Sequence, residues 1–339
     1  MTVRNGRDYM VSPILKWPGG KFRLSRHVFD KIVEREEVYG EDWHVRTGQR
    51  YHEPFTGAGG MYLGFRKRGL LNSRKKTFLS DLSFHLSTTL EAIQGDSWTE
   101  VSGLLGGIKD DYLEALKTEL EPRLRNGRPL EERFYYRKRK RFNELYDYIV
   151  NGSKSKPDVI EFAALMVFLN KVGYNGIWRV NSSGYYNVPE GESASYNNVH
   201  EHDKLREVHH ALKDTVIHHR DWKESFRDVR RGDLVYLDPP YLPLEGSKGT
   251  FNQYSAVKFE RRDHWLLASE SARLVSKKGC RMIVSNHHTE EVVRLYSEAA
   301  EEESVRCDVY KIPKVHNVNR IGEGRVEINE ALFFISNFT

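Results

Sequence analysis

Leu234-Val235-Tyr236-Leu237-Asp238-Pro239-Pro240-Tyr241 joins an apolar run to a carboxylate, two successive prolines and an aromatic ring. Four apolar residues in a row suit a strand that is buried on both faces of a parallel sheet. The prolines hold φ near about −65° and donate no backbone hydrogen bond, so the chain must leave the sheet here with its carbonyls turned away from the ladder. In open α/β sheets ligands bind outside the carboxyl ends of the strands, which is where this tetrapeptide falls if the apolar run is a parallel strand. A carboxylate, free carbonyls and a ring together suit an amino group on a planar partner. An ordinary proline-rich turn with no chemical role would carry the same residues.

Outward from this stretch, strand-like runs alternate with amphipathic ones at both ends of the sequence. Tyr51-His52-Glu53-Pro54-Phe55 reads as a strand entering a glycine-rich turn, Met61 to Arg68 as the helix after it, and Lys76 to Leu79 as a second strand ending at Asp81. Further strands are expected at Thr215 to His218, Arg281 to Ser285, Arg306 to Ile312 and Ala331 to Phe338, with helices such as His264 to Val275 between several of them. This alternation gives βαβ units and a mainly parallel sheet, whose last two strands can pair antiparallel at an edge. The middle, from about Glu91 to His202, differs. Helical text gives way near Gly173 to a stretch from Tyr174 to Pro189 rich in Asn, Gly, Ser and Tyr, the composition of a hairpin or exposed loop. Such an insertion, basic and then loop-like, reads as a recognition module.

At 339 residues the chain has room for a sizeable core and two domains. Hydrophobic content of 39% with 30% charged residues describes a soluble globular protein. No stretch approaches the roughly 18–20 apolar residues of a membrane span, and the first seven residues lack the apolar core of a signal peptide, so the cytoplasm is expected. Cys280 and Cys307 cannot frame a disulfide scaffold or a zinc cluster and are expected to be buried small side chains. No metal requirement is expected, and the chain is expected to act as a monomer or weak dimer. The net charge of +5 is only weakly basic, but its distribution is informative. Arg133, Arg137, Lys138, Arg139, Lys140 and Arg141 interleave with Phe134, Tyr135 and Tyr136 and with no acid, as where phosphates are neutralised. A solvated helix face would look similar. Glu298, Glu301, Glu302 and Glu303 read as a solvated helix end.

The first strand feeds Glu53-Pro54-Phe55-Thr56-Gly57-Ala58-Gly59-Gly60, where small residues let backbone approach a ligand and the next helix begins with free N–H groups. A dinucleotide fingerprint would need a third glycine where Met61 and Tyr62 stand. Asp81, 24 residues beyond Gly57, can accept both hydroxyls of a ribose or cap the helix that follows. Lys16-Trp17-Pro18-Gly19-Gly20-Lys21 is a flexible cationic loop with one flat ring, and it is not a phosphate loop, which would need Gly-x-x-x-x-Gly-Lys-Ser/Thr.

Lys16 to Lys21, Glu53 to Gly59, Tyr174-Asn175-Gly176, Asn187-Val188-Pro189, Asp238-Pro239-Pro240-Tyr241 and Ser285-Asn286-His287 occur in the order seen in DNA adenine N6-methyltransferases of the Dam type, and the chain resembles that family from Pro13 to Phe338. The resemblance implies a Rossmann-like S-adenosylmethionine-dependent α/β sheet (residues 1–88 and 203–339) with an inserted, mainly helical DNA-recognition domain and β-hairpin (89–202). It also implies that Trp17, Lys21, Asp81 and Asp238 contact S-adenosylmethionine over a floor of Phe55, Gly57 and Gly59. On the same footing Tyr174 to Arg179, with Asn175, looks like the hairpin that enters duplex DNA near the target base, Arg179 reads a base edge, and Lys16 and Pro189 make further base contacts. Arginine can grip guanine in a bidentate way, and a proline ring can press on a thymine methyl. Arg137, Lys138 and Arg139 are assigned to phosphates. Pro18, the bulky Trp178 and the long basic stretch from Arg123 to Lys156 depart from the family pattern and bear on the recognition sequence, for which GATC is the family expectation.

An adenine amino group in a duplex is buried in its base pair, so the base must be flipped out. Tyr241 would then stack on it, while Asp238 and the carbonyl of Pro239 accept its two N–H bonds, with Pro240 fixing the turn. Two other readings compete. One is a methyltransferase of RNA adenine or protein glutamine, where Asn more often stands in place of Asp238. The other is an inactive DNA-binding relative, against which the intact motifs argue. A nicotinamide dehydrogenase fails for want of the third glycine. Whether the chain is solitary, the partner of a restriction nuclease or phage-encoded is not written in it.

Overall fold

The computed structural model describes residues 11–17, 19–46, 48–71, 76–119, 130–152, 155–191, 198–242, 259–313 and 329–338. Pro18 and the basic residues Arg123, Arg125 and Arg128 lie outside them, as does the N-terminal segment read for a signal peptide.

Successive side chains along a strand point to opposite faces, so neighbours join different cores. In β4 (Leu234–Leu237), Leu234 and Tyr236 join one core while Val235 and Leu237 join the other, and β5 (Arg281–His287) does the same with Ile283 against Met282 and Val284. Both faces are covered, so the strands read as continuous apolar runs rather than alternating ones. β4 lies beside β1 (Tyr51–Glu53), which pairs in parallel with β2 (Thr77–Asp81), itself parallel to β3 (Thr215–His219). On the other side β5 is parallel to β4, and β7 (Glu330–Ser336) runs antiparallel between β5 and the edge strand β6 (Arg306–Ile312). The order is β3-β2-β1-β4-β5-β7-β6. This is a seven-stranded mixed α/β sheet.

One face carries α1 (Leu24–Tyr39), α2 (Gly60–Lys67) and α3 (Phe84–Gln94), and the other α8 (Trp222–Asp228), α9 (Arg261–Lys278) and α10 (Glu290–Glu302). Helix starts follow local chemistry. The Asp221 side chain accepts the Lys223 N–H, Thr289 accepts the Val292 N–H, and Glu260 and Asp263 form a reciprocal capping box.

Between β2 and β3 the chain adds α4 (Trp98–Glu119), α5 (Phe134–Val150), α6 (Lys156–Val172) and α7 (His202–Leu212). Phe162 to Leu169 of α6 are fully buried, so this helix is apolar all round and forms the centre of the inserted layer. Its core is continuous with that on the α1 and α2 face of the sheet. The return to the sheet passes through a one-turn 3-10 helix at Tyr174–Gly176 and a short hairpin with bridges at Val180↔Tyr186 and Gly173↔Glu190.

The strands lie where the sequence places them to within one or two residues. Phe55 is already outside β1, and β7 stops at Ser336. Cys280 is buried, but Cys307 is only half-buried, which corrects the expectation for it, because β6 is an edge strand with a neighbour on one side only. Among the described residues no helix is long and apolar enough to cross a membrane.

Candidate functional site

The sheet order reverses between β1 and β4, and the loops leaving those two strands diverge to opposite sides. That opening is where open α/β sheets hold ligands. The glycine turn after β1 and Asp238 after β4 flank it.

In the turn, Gly57 has φ 51° and Gly59 has φ 72°. A Cβ on Gly57 would stand 2.9 Å from Cδ1 of the Trp17 indole, so only glycine fits under that ring. The Gly57 N–H donates to Asp81 Oδ2 at 2.9 Å, and the Ser83 N–H donates to Asp81 Oδ1 at 2.9 Å. Asp81 therefore braces the turn and the start of α3 at once. Burial raises its pKa, while those backbone donors and the nearby His219 pull it back. Phe55 leans edge-on to Phe259, at 5.9 Å between ring centres. Glu53 is buried, and its carboxyl is pushed up to about 8 by burial and by the neighbouring Asp238, against the pull of the Tyr51 hydroxyl that donates to it at 2.7 Å.

Around Asp238 four side chains lock together. Lys21 Nζ lies 3.4 Å from Asp238 Oδ1 and 3.1 Å from Glu330 Oε1, and it donates to the Tyr241 hydroxyl. The Tyr241 hydroxyl in turn donates to Glu330 Oε1 at 2.8 Å, and its ring meets the edge of His287 at 4.4 Å. Ser285 Oγ donates to Asp238 Oδ1 at 2.8 Å and lies 2.7 Å from the Tyr236 hydroxyl. Burial raises the Asp238 pKa to about 6, Lys21 and Ser285 restrain the rise, and Glu330 adds to it. The ion pair does not force the pKa of Asp238 below that of an ordinary carboxylate because burial outweighs it, with Glu330 adding a smaller push in the same direction. Burial works against the charge on Lys21, but the two carboxylates outweigh it and its pKa is raised. The Asp238 carboxylate keeps 20% of its side chain exposed at the opening.

Sequence reading did not single out Glu330 or give Ser285 a part. The register of β7 on β5, with Glu330 opposite His287, is what carries Glu330 to a tyrosine 89 residues earlier. No short-range pattern announces such a pairing.

A second group of expected residues lies at the inserted layer. Tyr174 and Asn175 are exposed, with Asn175 at φ 54°, and the Tyr174 N–H donates to the Pro189 carbonyl at 3.0 Å across the base of the hairpin. Pro189 is exposed. The Arg179 guanidinium donates to the Asn187 side chain at 2.6 Å and to its carbonyl at 3.2 Å. Trp178, bulky as it is, is fully buried, stacked 4.7 Å from Tyr186 and 5.9 Å from Trp17.

The basic stretch forms the first half of α5, and the structure divides its charges. Arg137 and Lys140 are exposed and Lys138 is half-buried, but Arg141 pairs with Glu161 at 2.6 Å and Arg133 with Glu190 at 2.5 Å. Arg139 donates to the Val188 carbonyl at 3.0 Å. It belongs to a row at helical spacing. Tyr135 donates to the same carbonyl at 3.1 Å, Asn143 exchanges two hydrogen bonds with the Tyr186 backbone at 3.1 and 2.9 Å, and Asp147 accepts from the Tyr185 hydroxyl at 2.8 Å. Residues four apart lie on one helix face, so Tyr135, Arg139, Asn143 and Asp147 dock the return strand of the hairpin. That spacing was legible in the sequence, hidden by the charge of the segment.

Comparison with known proteins places this geometry in context. Residues 17–312 match the family described as D12 class N6 adenine-specific DNA methyltransferase. The chain is 28% identical over 280 residues to the type II methyltransferase M.MjaIII of Methanocaldococcus jannaschii, covering 82% of this chain and 85% of that one. It is 24% identical over 321 residues to the DNA adenine methylase of Haemophilus influenzae, covering 94% and 92%. It is also 24% identical to the type II methyltransferase M1.LlaDCHI of Lactococcus lactis over 85% of each chain.

Proposed function

The chain belongs to the D12 class of N6 adenine-specific DNA methyltransferases, and from that premise we propose that it methylates a flipped adenine in duplex DNA, within GATC, using S-adenosylmethionine. The observation that carries this reading is the partly exposed Asp238 carboxylate at the switch point of the sheet, held by Lys21 and Ser285 beside the glycine turn, with Glu330 on the same ammonium.

The residues present fit the cofactor. Gly57 takes a positive φ under the Trp17 ring, Asp81 offers a carboxylate at the end of β2, and Lys21 is a buried cation beside two acids. Trp17, Lys21, Phe55, Gly57, Gly59, Asp81 and Asp238 would hold it. When bound, it supplies an electrophilic methyl group on a sulfonium.

The chain's own work is positioning and electrostatics. Asp238 and the Pro239 carbonyl accept the two N–H bonds of the adenine amino group and draw its lone pair out of the ring. Asp238 orients and polarises that group and need not take its proton. The Tyr241 ring, fixed through its hydroxyl by Glu330, gives the flipped base a face to stack on. Residues 89–202 serve as the recognition domain, with Lys16, Tyr174, Asn175, Arg179 and Pro189 toward the bases, and Arg137 and Lys138 toward phosphates. The place of action is the cytoplasm, where its DNA is.

Incubation with methyl-labelled S-adenosylmethionine and duplexes with or without GATC, followed by identification of the modified base, tests this reading. N6-methyladenine confined to GATC duplexes is expected. Label only in RNA or protein overturns it.

The carboxylate also predicts a pH profile. Because Asp238 must be ionised to accept the amino N–H bonds, kcat/KM should rise with pH through about 6. In Ser285→Ala the carboxylate loses a donor that favours its charged form, so the limb moves to higher pH. Activity should drop several-fold at pH 6 and little at pH 8. A limb unmoved by the substitution would remove Asp238 as the titrating group.

A further inference from the structure

Asn170, near the C-terminal end of α6, is fully buried, and its amide joins two backbone segments that lie far apart in sequence. Its Oδ1 accepts the Lys16 N–H at 2.7 Å. Its Nδ2 donates to the Lys16 carbonyl at 2.8 Å and to the Gly176 carbonyl at 3.3 Å. Both polar atoms of the amide are thereby satisfied, as a buried amide requires.

The contact between those segments is close. The Lys16 side chain crosses Gly176, where an ideal Cβ would stand 2.4 Å from Lys16 Cδ, and Gly176 itself has φ 64°. One residue beyond Lys16 and two beyond Gly176, Trp17 stacks on Trp178, with centres 5.9 Å apart and planes inclined by 26°. The loop before α1 and the Tyr174–Gly176 turn are therefore held as a single body through a side chain that itself faces no solvent.

We propose that Asn170 is a positioning residue for target recognition, fixing Lys16 against the Tyr174–Gly176 turn so that the two segments meet the DNA in one register. The inference rests on the reading of Lys16 and the Tyr174 to Arg179 stretch as base contacts. Its physical content is preorganisation. Lys16 is exposed on a glycine-rich loop and would otherwise sample many positions. A base contact discriminates only if its donor is already in place when the wrong base arrives.

The test uses the full chain once its methylated sequence is known. For Asn170→Ser, kcat/KM is measured on that duplex and on duplexes carrying each single base-pair substitution. The ratio of correct to substituted duplex should fall by about tenfold at the positions Lys16 reads, the scale of one lost base contact. A general weakening of the fold lowers the rate on every duplex by a common factor and leaves this ratio unmoved. Gly176→Ala provides a second lever that leaves the Asn170 side chain in place, because the added methyl at this positive φ must push Lys16 aside; it should relax the same positions. Lys16→Ala separates the two layers of the argument. If it relaxes discrimination and Asn170→Ser and Gly176→Ala do not, the positioning role is wrong and the base contact stands. If Lys16→Ala itself leaves discrimination intact, the base contact is wrong and the proposal falls with it.

Discussion

Asp238→Ala should lose methyl transfer by at least about 10³-fold while holding duplex DNA within about threefold of the unsubstituted chain, since preorganised charge at the reacting centre commonly carries effects of this size. The two halves of that expectation have separate causes. On the proposed reading this carboxylate receives an amino N–H at the switch point, with Lys21 at 3.4 Å and the Ser285 hydroxyl at 2.8 Å already fixing its direction. Removing it leaves Lys21 paired with Glu330 and Tyr241 still held by Glu330, so the surroundings keep their shape. Duplex contact, by contrast, is assigned to the hairpin and α5. Asp238→Asn is the sharper variant, because it keeps the shape and one acceptor oxygen while removing the charge and turning the second oxygen into an N–H donor. It should fall between the two. Single-turnover methylation of a labelled duplex, set beside an anisotropy titration of the same duplex, measures both quantities. Near-normal turnover of either variant would overturn the assignment of Asp238 as the group that polarises the amine.

Much of this site was legible before any fold was seen, for reasons of chemistry rather than luck. Two prolines after a four-residue apolar run can only end a buried strand, and Leu234–Leu237 is buried at every position. A glycine turn between a strand and a helix can be read because positive φ selects for glycine, and Gly57 and Gly59 both adopt it. Partnerships across the sheet and across domains could not be read in this way. Glu330 joins the Asp238 cluster only because β7 inserts antiparallel between β5 and β6, and Asn170 reaches Lys16 only because α6 packs beneath the first loop. Those are facts of register and packing, which a single sequence does not encode locally. The basic stretch shows a subtler limit. Charge was its loudest signal, so the quieter spacing of Tyr135, Arg139, Asn143 and Asp147 went unread.

That spacing sharpens what to expect when Arg137, Lys138 and Arg139 are all replaced by alanine. If all three met phosphates, each would release about 0.9 counterions on binding, and the slope of log affinity against log salt would shrink by about 2.7. Arg139, however, donates to the Val188 carbonyl and stacks its guanidinium over Tyr136 at 4.8 Å, so it acts first on the hairpin. Arg137 is exposed and Lys138 half-buried. The triple variant should therefore lose roughly 10- to 100-fold in affinity for every duplex, with a slope reduced by about two rather than three. The remaining part of its defect should appear as lost discrimination between correct and substituted duplexes, and Arg139→Ala alone should reproduce that part with little change in slope. Titrations at several salt concentrations, on one correct and one substituted duplex, separate the two contributions. An unchanged slope in the triple variant would return this face of α5 to an ordinary solvated helix surface, and a full reduction by three would mean that Arg139 leaves the hairpin for a phosphate when DNA arrives.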